Sequence, residues 1–191
     1  MLQKPAITSH DIHPLIQHRW SPRAFEPKSL DEAQMSQLME AARWAPSSMN
    51  AQPWRYLIAR RDQSELFEKM LTPLNAKNSK WAKDAGALIL AIGHEVSSHA
   101  HHDVGLANAM LVIQAEALGL RTHQMGGFDA QQARELFHIP NGFTPITYIA
   151  VGYQAEATSL NDPTLQERER SPRARRPQEA FVFEGTFGEP A

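Results

Sequence analysis

Apolar residues along this chain recur at two spacings, one helical and one extended, and together they set out most of its elements. Ile12, Leu15 and Ile16 share a face of a short helix predicted over residues 11–18, with Ser9 and Asp11 as cap candidates. Ser29-Leu30-Asp31-Glu32 has the form of a capping box, and Met35, Leu38, Met39 and Ala42 follow at helical intervals. That helix stops before Pro46, because proline disfavours helical geometry in the residue preceding it. Trp54 to Ala59 reads as a strand, and Asp62 with Glu65 opens a helix that ends near Pro73. Leu88 to Gly93 is an uninterrupted apolar run, the pattern of a strand covered on both faces. Val104 to Leu118 is free of proline and apolar nearly all round. Such a helix must be covered on most sides, by the core or by a second subunit, and Gly119 supplies its C-cap. Thr122 to Met125 forms a short strand, Asp129 with Gln132 starts another helix, and Thr144 to Gly152 is a last apolar strand.

After Tyr153 the chain turns polar, with prolines, many arginines and no long periodicity, which reads as an extended arm. Few strands alternating loosely with helices predict one α+β domain over residues 1–153, with residues 154–191 as a C-terminal arm. There is no internal repeat. At 191 residues the chain can bury a substantial core. A net charge of −2 exerts no global pull toward nucleic acid or membrane, and no apolar run approaches the length of a membrane span. Residues Met1 to Pro5 lack the apolar region of a secretory signal. With no cysteine, disulfides, thiolate nucleophiles and sulfur-ligated metals are excluded. A cytoplasmic protein is the expectation.

The candidate chemistry lies in a few polar clusters. Arg19-Trp20-Ser21-Pro22-Arg23 sets two guanidinium groups and a hydroxyl within five residues. Arginine makes paired, charge-assisted bonds to phosphate oxygens, and a hydroxyl can complete the shell. Alone, the same run would also describe a surface loop with two solvated arginines. Pro46-Ser47-Ser48-Met49-Asn50-Ala51-Gln52-Pro53-Trp54 holds side-chain donors and acceptors on a loop stiffened by prolines. Gly126-Gly127 follows a strand, where glycine lets the backbone approach a planar ligand with its N–H groups unobstructed. Arg173 and Arg175, with Arg168 and Arg170 nearby, form a second basic cluster far along the chain. Glu167 and Glu169 are interleaved with it, which speaks against a nucleic-acid patch; a dianion already held by Arg19 would gain from two further arginines, which favours convergence on one phosphate. His99, His101, His102 and Asp103 read as an exposed loop entering the long helix, since adjacent histidines on a regular helix cannot readily share one ion. No metal site is expected. No serine–histidine–acid set, paired carboxylates, G-x-G-x-x-G or P-loop stands out, so redox chemistry would come from a bound organic cofactor.

Taken in order, these landmarks resemble the nitroreductase family of FMN-dependent oxidoreductases. They run from Arg19-x-Ser21-x-Arg23-x-Phe25 through Pro46-Ser47-Ser48-x-Asn50-x-Gln52-Pro53-Trp54 to Asn78 before Trp81. Asp103-x-Gly105, Gly119-Leu120, Gly126-Gly127-Phe128-Asp129, Ile139-Pro140, Gly152-Tyr153 and the pair Arg173 and Arg175 complete the set. The resemblance implies a three-layer sandwich, a mainly antiparallel central sheet flanked by helices, in a homodimer with FMN at the subunit interface. Arg19, Trp20, Ser21, Arg173 and Arg175 would form the phosphate end of the site, although Trp20 stands where many relatives have a second basic residue. Arg23 and Asn78 would face the pyrimidine edge, and Pro46, Ser47, Ser48 and Asn50 would come from the partner. Met125, Gly126 and Gly127 would line the flavin, with the Gly126 backbone N–H near N5, and the C-terminal arm would wrap the other subunit. Gly126 stands where some relatives carry a glutamate. Only a short loop joins Gly93 to Asp103, where larger members insert helices, so a more open or differently covered pocket is expected.

The implied activity is transfer of hydride from NAD(P)H, through flavin N5, to a small-molecule electron acceptor such as a nitroaromatic or quinone. No side chain is singled out as an acid or base. Two alternatives stay open: an FMN-binding carrier or sensor with little turnover, and a nucleic-acid module built on the arginine-rich arm.

Overall fold

The computed structural model describes residues 2–96 and 98–188. The apolar run at Leu88 becomes β2 (Ala87–His94), which lies inside a four-stranded antiparallel sheet. Its neighbours are β1 (Trp54–Arg60) on one side and β4 (Phe143–Gly152) on the other, and β3 (Arg121–Met125) pairs with the far edge of β4. Side chains alternate across the pleat, so Leu88, Leu90 and Ile92 face one apolar layer while Ala87, Ile89 and Ala91 face the other. That double burial explains why β2 has no polar face. Pro145 fits inside β4 because the β2–β4 register slips between Ala91 and Ile92, beside its pairing position.

One layer is built by α2 (Glu32–Arg43), through Met35, Leu38 and Ala42, and by α5 (Ala100–Ala117), through Val104, Ala107, Leu111, Val112 and Ala115. The other is built by Phe67 and Met70 of α3 (Ser64–Leu71), Trp81 and Ala82 of α4 (Ala76–Ala82), and Ala133 of α6 (Ala130–Leu136). The molecule is thus α+β, with helices on both faces of an antiparallel sheet. Among the described residues no helix is long and apolar enough to cross a membrane.

Several local expectations shift. The first helix, α1 (Pro14–His18), is shorter than residues 11–18; His13 caps it, accepting from the Leu15 N–H, and it buries no residue. The box that starts α2 is closed by Asp31 and Gln34, while Ser29 donates to Asp62 instead. The long helix begins at Ala100, so His101 and His102 sit in its first turn, not in a loop. The link from β2 to α5 is residues 95–99, with Ser97 outside the described residues.

Among the described residues two α-helices were not expected. One is α4, capped by Asn75. The other is α7 (Pro163–Arg170), capped by Asp162, inside the stretch expected to be extended. Its surroundings dock on the chain's own core: Gln154 bridges to Phe25, and Ala157, Leu160 and Glu169 are buried. The expected arm reaches to Ala191, and its residues 189–191 lie outside the described residues.

Candidate functional site

The fold brings together basic residues that stand at opposite ends of the sequence. Lys4, Arg19, Trp20, Ser21, Arg23, Arg168, Arg173 and Arg175 line a single cleft of about 200 Å³. Six of those eight side chains are cations, and none is a carboxylate. Arg19 arrives on the turn leaving α1 and Arg23 on the loop before the sheet. Arg168 comes from the last turn of α7, and Arg173 and Arg175 from the segment after it.

Burial works against the charge on Arg19, Arg175 adds to that repulsion, and Glu116 offsets part of it. Arg173 is disfavoured first by burial and then by Arg19 and Arg175. Around Arg23 burial again leads, with Glu169 supporting the charge and Arg168 opposing it. Cations gathered in a partly buried hollow raise one another's energy, and a bound multivalent anion relieves all of them. Glu169 supports Lys4 and Arg23 from outside the lining of the hollow, but it is committed to a structural role. Its carboxylate, 1 % exposed, accepts from the backbone N–H groups of Arg23 at 3.0 Å and Ala24 at 3.1 Å. Glu116 pairs with Arg121 at 3.0 Å.

Not every arginine donor is free for a ligand. Arg173 Nη1 donates to the carbonyls of Lys4 and Gln17, each at 2.8 Å. Arg19 Nη1 lies 3.4 Å from Ser21 Oγ, which places that hydroxyl at the cleft. The Trp20 ring is buried and carries Lys4 Nζ 4.5 Å from its centroid.

A second hollow, of about 310 Å³, adjoins the first and shares Arg23 and Arg168 with it. Asn78 and Trp81 of α4 line it. Asn78 Nδ2 donates to the Gly127 carbonyl at 3.1 Å, and the Asn75 N–H donates to the same oxygen at 3.1 Å. The helix start therefore grips the Gly126-Gly127 turn. A Cβ on Gly127 would collide with the side-chain nitrogens of Asn75 and Asn78, so glycine is required there by close approach. Gly126 faces open space, whereas the Met125 side chain is buried in the core.

Pro46, Ser47, Ser48 and Asn50 line neither hollow. Their loop is held by its own bonds and by α5. Ser47 Oγ accepts from the Gln52 N–H at 3.1 Å, and the Ser48 N–H donates to Asp103 Oδ2 at 3.1 Å. Met49, Asn50 and Gln52 have φ of 51°, 56° and 46°, a left-handed run of non-glycine residues that stores strain. Met49 is 97 % exposed. The chain thus keeps a strained, partly exposed loop that does not line its own cationic cleft.

Sequence reasoning passed over His123, Lys4, and the structural parts of Glu169 and Asp103. His123 packs its ring 4.5 Å from that of Trp81, and its Nδ1 sits 2.9 Å from the Pro22 carbonyl. Burial pushes its pKa down to about 4, against the pull of its backbone hydrogen bonds. The ring is neutral at pH 7 and serves the loop above it. Among the described residues, no three histidine or acidic side chains stand where they could hold a metal.

Similarity to known proteins points the same way. The family model described as the nitroreductase family matches residues 16–83 and 65–153. A 15.4 kDa protein of Mycolicibacterium smegmatis, from the ask 5′ region, is 31 % identical over 147 residues, covering 71 % of this chain and 99 % of its own length. YdgI of Bacillus subtilis strain 168, provisionally named an NAD(P)H nitroreductase, is 25 % identical over 194 residues, covering 78 % of this chain and 91 % of its own. The crystal structure of an oxidoreductase containing FMN superposes with a TM-score of 0.91 at 34 % identity, over 95 % of this chain and 96 % of that one.

Proposed function

The chain belongs to the nitroreductase family, and we propose that it is an FMN-dependent oxidoreductase that passes hydride from NAD(P)H to a small-molecule electron acceptor such as a nitroaromatic or a quinone. The observation that carries this reading is the cleft where six cationic side chains from both ends of the chain meet without a carboxylate in its lining. A phosphate monoester dianion fits that donor set, and the open face of Gly126 leaves room for a flat group. When bound, FMN would supply the centre that accepts and then releases hydride.

The chain's own residues place and polarise. Arg19, Ser21, Arg173 and Arg175 would hold the phosphate end, with Trp20 forming an apolar wall. Arg23, standing between the two hollows, would set positive charge beside the pyrimidine edge together with Asn78, favouring the electron-loaded form of the cofactor. Gly126, open on its side-chain face, would present its N–H, with the backbone of Met125 and Gly127 flanking it. Pro46, Ser47, Ser48 and Asn50 would complete the partner's site in a homodimer, which suits a strained loop that lines neither hollow of its own chain. The C-terminal arm beyond α7 would lie on that partner. With His123 neutral and occupied by backbone oxygens, no acid or base of this chain is assigned to the reaction. The short 95–99 link leaves acceptor selectivity to the open face.

The test is direct. Purified protein should carry a yellow flavin spectrum that bleaches rapidly on anaerobic addition of NADH or NADPH. Tight flavin with slow bleaching would instead establish a carrier or sensor. Arg19→Ala should weaken FMN binding about 10- to 100-fold, the loss of a charge-assisted contact, while leaving the unfolding midpoint nearly unchanged. Full flavin occupancy in that variant would remove the phosphate clamp from the account.

A further inference from the structure

We propose that Lys4 is an anion-binding residue of the cationic cleft, delivered there by an N-terminal strap whose buckle is Arg173. The proposal rests on the FMN reading above and adds to it a ligand from a segment outside every motif of the sequence.

The strap has no regular secondary structure of its own, so its path is set by what ties it. Gln154 Nε2 donates to the Leu2 carbonyl at 2.8 Å, and the Ala6 N–H donates to the Gln17 carbonyl at 2.8 Å. Between these ties, Arg173 Nη1 bridges the carbonyls of Lys4 and Gln17. Arg173 thereby spends donors on fixing Lys4 and α1 relative to each other. This contact joins residues 169 positions apart, and it fixes the backbone from which the lysine reaches into the cleft.

The ammonium group is then placed with donors to spare. Lys4 Nζ gives one hydrogen bond, at 2.9 Å, to the Glu169 carbonyl near the end of α7, and rests over the Trp20 ring. An ammonium carries three donors, so two remain for another acceptor. Position 20 holds an aromatic ring with no charge of its own, and Lys4 lays a cation across that ring from elsewhere in the chain.

Its surroundings are unfavourable to a lysine with no further partner. Burial depresses its pKa, Glu169 opposes that, and the guanidinium groups of Arg173 and Arg23 add to the depression. A lysine has a long flexible stem, and its charge ordinarily swings toward water when it can. Here the chain ties it among five arginines. A dianion in the cleft reverses the sign of that arrangement, since each neighbouring cation then shares an attraction instead of a repulsion.

The experiment compares FMN with riboflavin, which lacks the phosphate, binding to flavin-free protein followed by quenching of flavin fluorescence. Lys4→Met keeps the apolar stem against Trp20 and removes the charge together with the bond to the Glu169 carbonyl. It should weaken FMN binding about tenfold or more and leave riboflavin binding unchanged. Lys4→Arg should recover most of the lost affinity. Equal weakening of both flavins, or no change in either, would overturn the proposal and leave Lys4 as a packing residue. Arg19→Ala separates the two levels of the argument. If it weakens FMN while Lys4→Met does not, the lysine proposal alone falls. If the unaltered protein binds FMN no more tightly than riboflavin, the phosphate reading itself falls, and this proposal falls with it.

Discussion

The loop from Arg19 to Phe25 carries four of the residues at the cleft, and single side chains beneath it decide its shape. His123 is the most consequential. It stands on β3, its ring against Trp81 and its Nδ1 against the Pro22 carbonyl, with a folded-state pKa of about 4. The unfolded histidine titrates near 6.5. Between those two values the unfolded chain takes up a proton that the folded chain refuses, so stability falls as pH drops through that window. On going from pH 7.5 to 5.0 the protein should lose about 2 kcal/mol of stability on this account. Urea midpoints at the two pH values should show that loss, and His123→Gln should remove most of it. An identical pH slope in the variant would mean the ring is not the titrating group. None of this was visible in the sequence, because a lone histidine in a strand and a lone lysine before Pro5 carry no pattern. Arg19, Ser21 and Arg23 were visible because three polar groups at alternate positions form a local signal.

At the scale of elements, the site depends on how α7 is fastened. Asp162 caps it by accepting from Thr164 and Leu165, and Pro163 begins it, so the start signal was present in the sequence although the polar composition suggested an arm. What the composition could not show is the partner of Glu169. Its buried carboxylate receives the backbone N–H groups of Arg23 and Ala24, which locks α7, and with it Arg168, to the loop carrying Arg19. Glu169→Ala would leave those donors without a partner, and should lower stability by about 2–3 kcal/mol. In a chain of this size that is a fall of about 5–10 °C in the unfolding midpoint of flavin-free protein. Glu169→Gln, which keeps an acceptor oxygen, should recover part of it. An unaltered midpoint in the alanine variant would show that Leu160 and Leu165 hold the helix without it. The α4 segment was missed for a related reason. It is only seven residues, mostly polar, and its place is set by Asn75 and Asn78 gripping Gly127 across the fold.

The whole molecule adds a question of assembly. The apolar pattern of α5 demanded cover on most sides, and the sheet and α2 supply only part of it. Gly105, Ala109 and Met110 are exposed and Leu106 and Ile113 half-buried, leaving an apolar strip beside the strained 46–52 loop that Asp103 ties to the same helix. A second copy of the chain is the proposed cover. If that cover is a second copy, the parent should sediment as a dimer and Ala109→Arg on that strip as a monomer in analytical ultracentrifugation, with FMN binding reduced at least tenfold. A monomer that binds FMN as tightly as the parent would refute a site shared between subunits.

By itself the sequence determined the α+β layering, the four strands, most of the helices and the clusters able to meet a phosphate. These follow from spacing over a few residues, which is local physics. The meeting of Arg19 with Arg173 was an expectation of the sequence that the tertiary structure places in one cleft, and only that structure decided that Lys4 joins them and that the serine loop lies outside its lining. Such juxtapositions depend on how a long chain closes on itself around a common core, and no short stretch of residues encodes that distance.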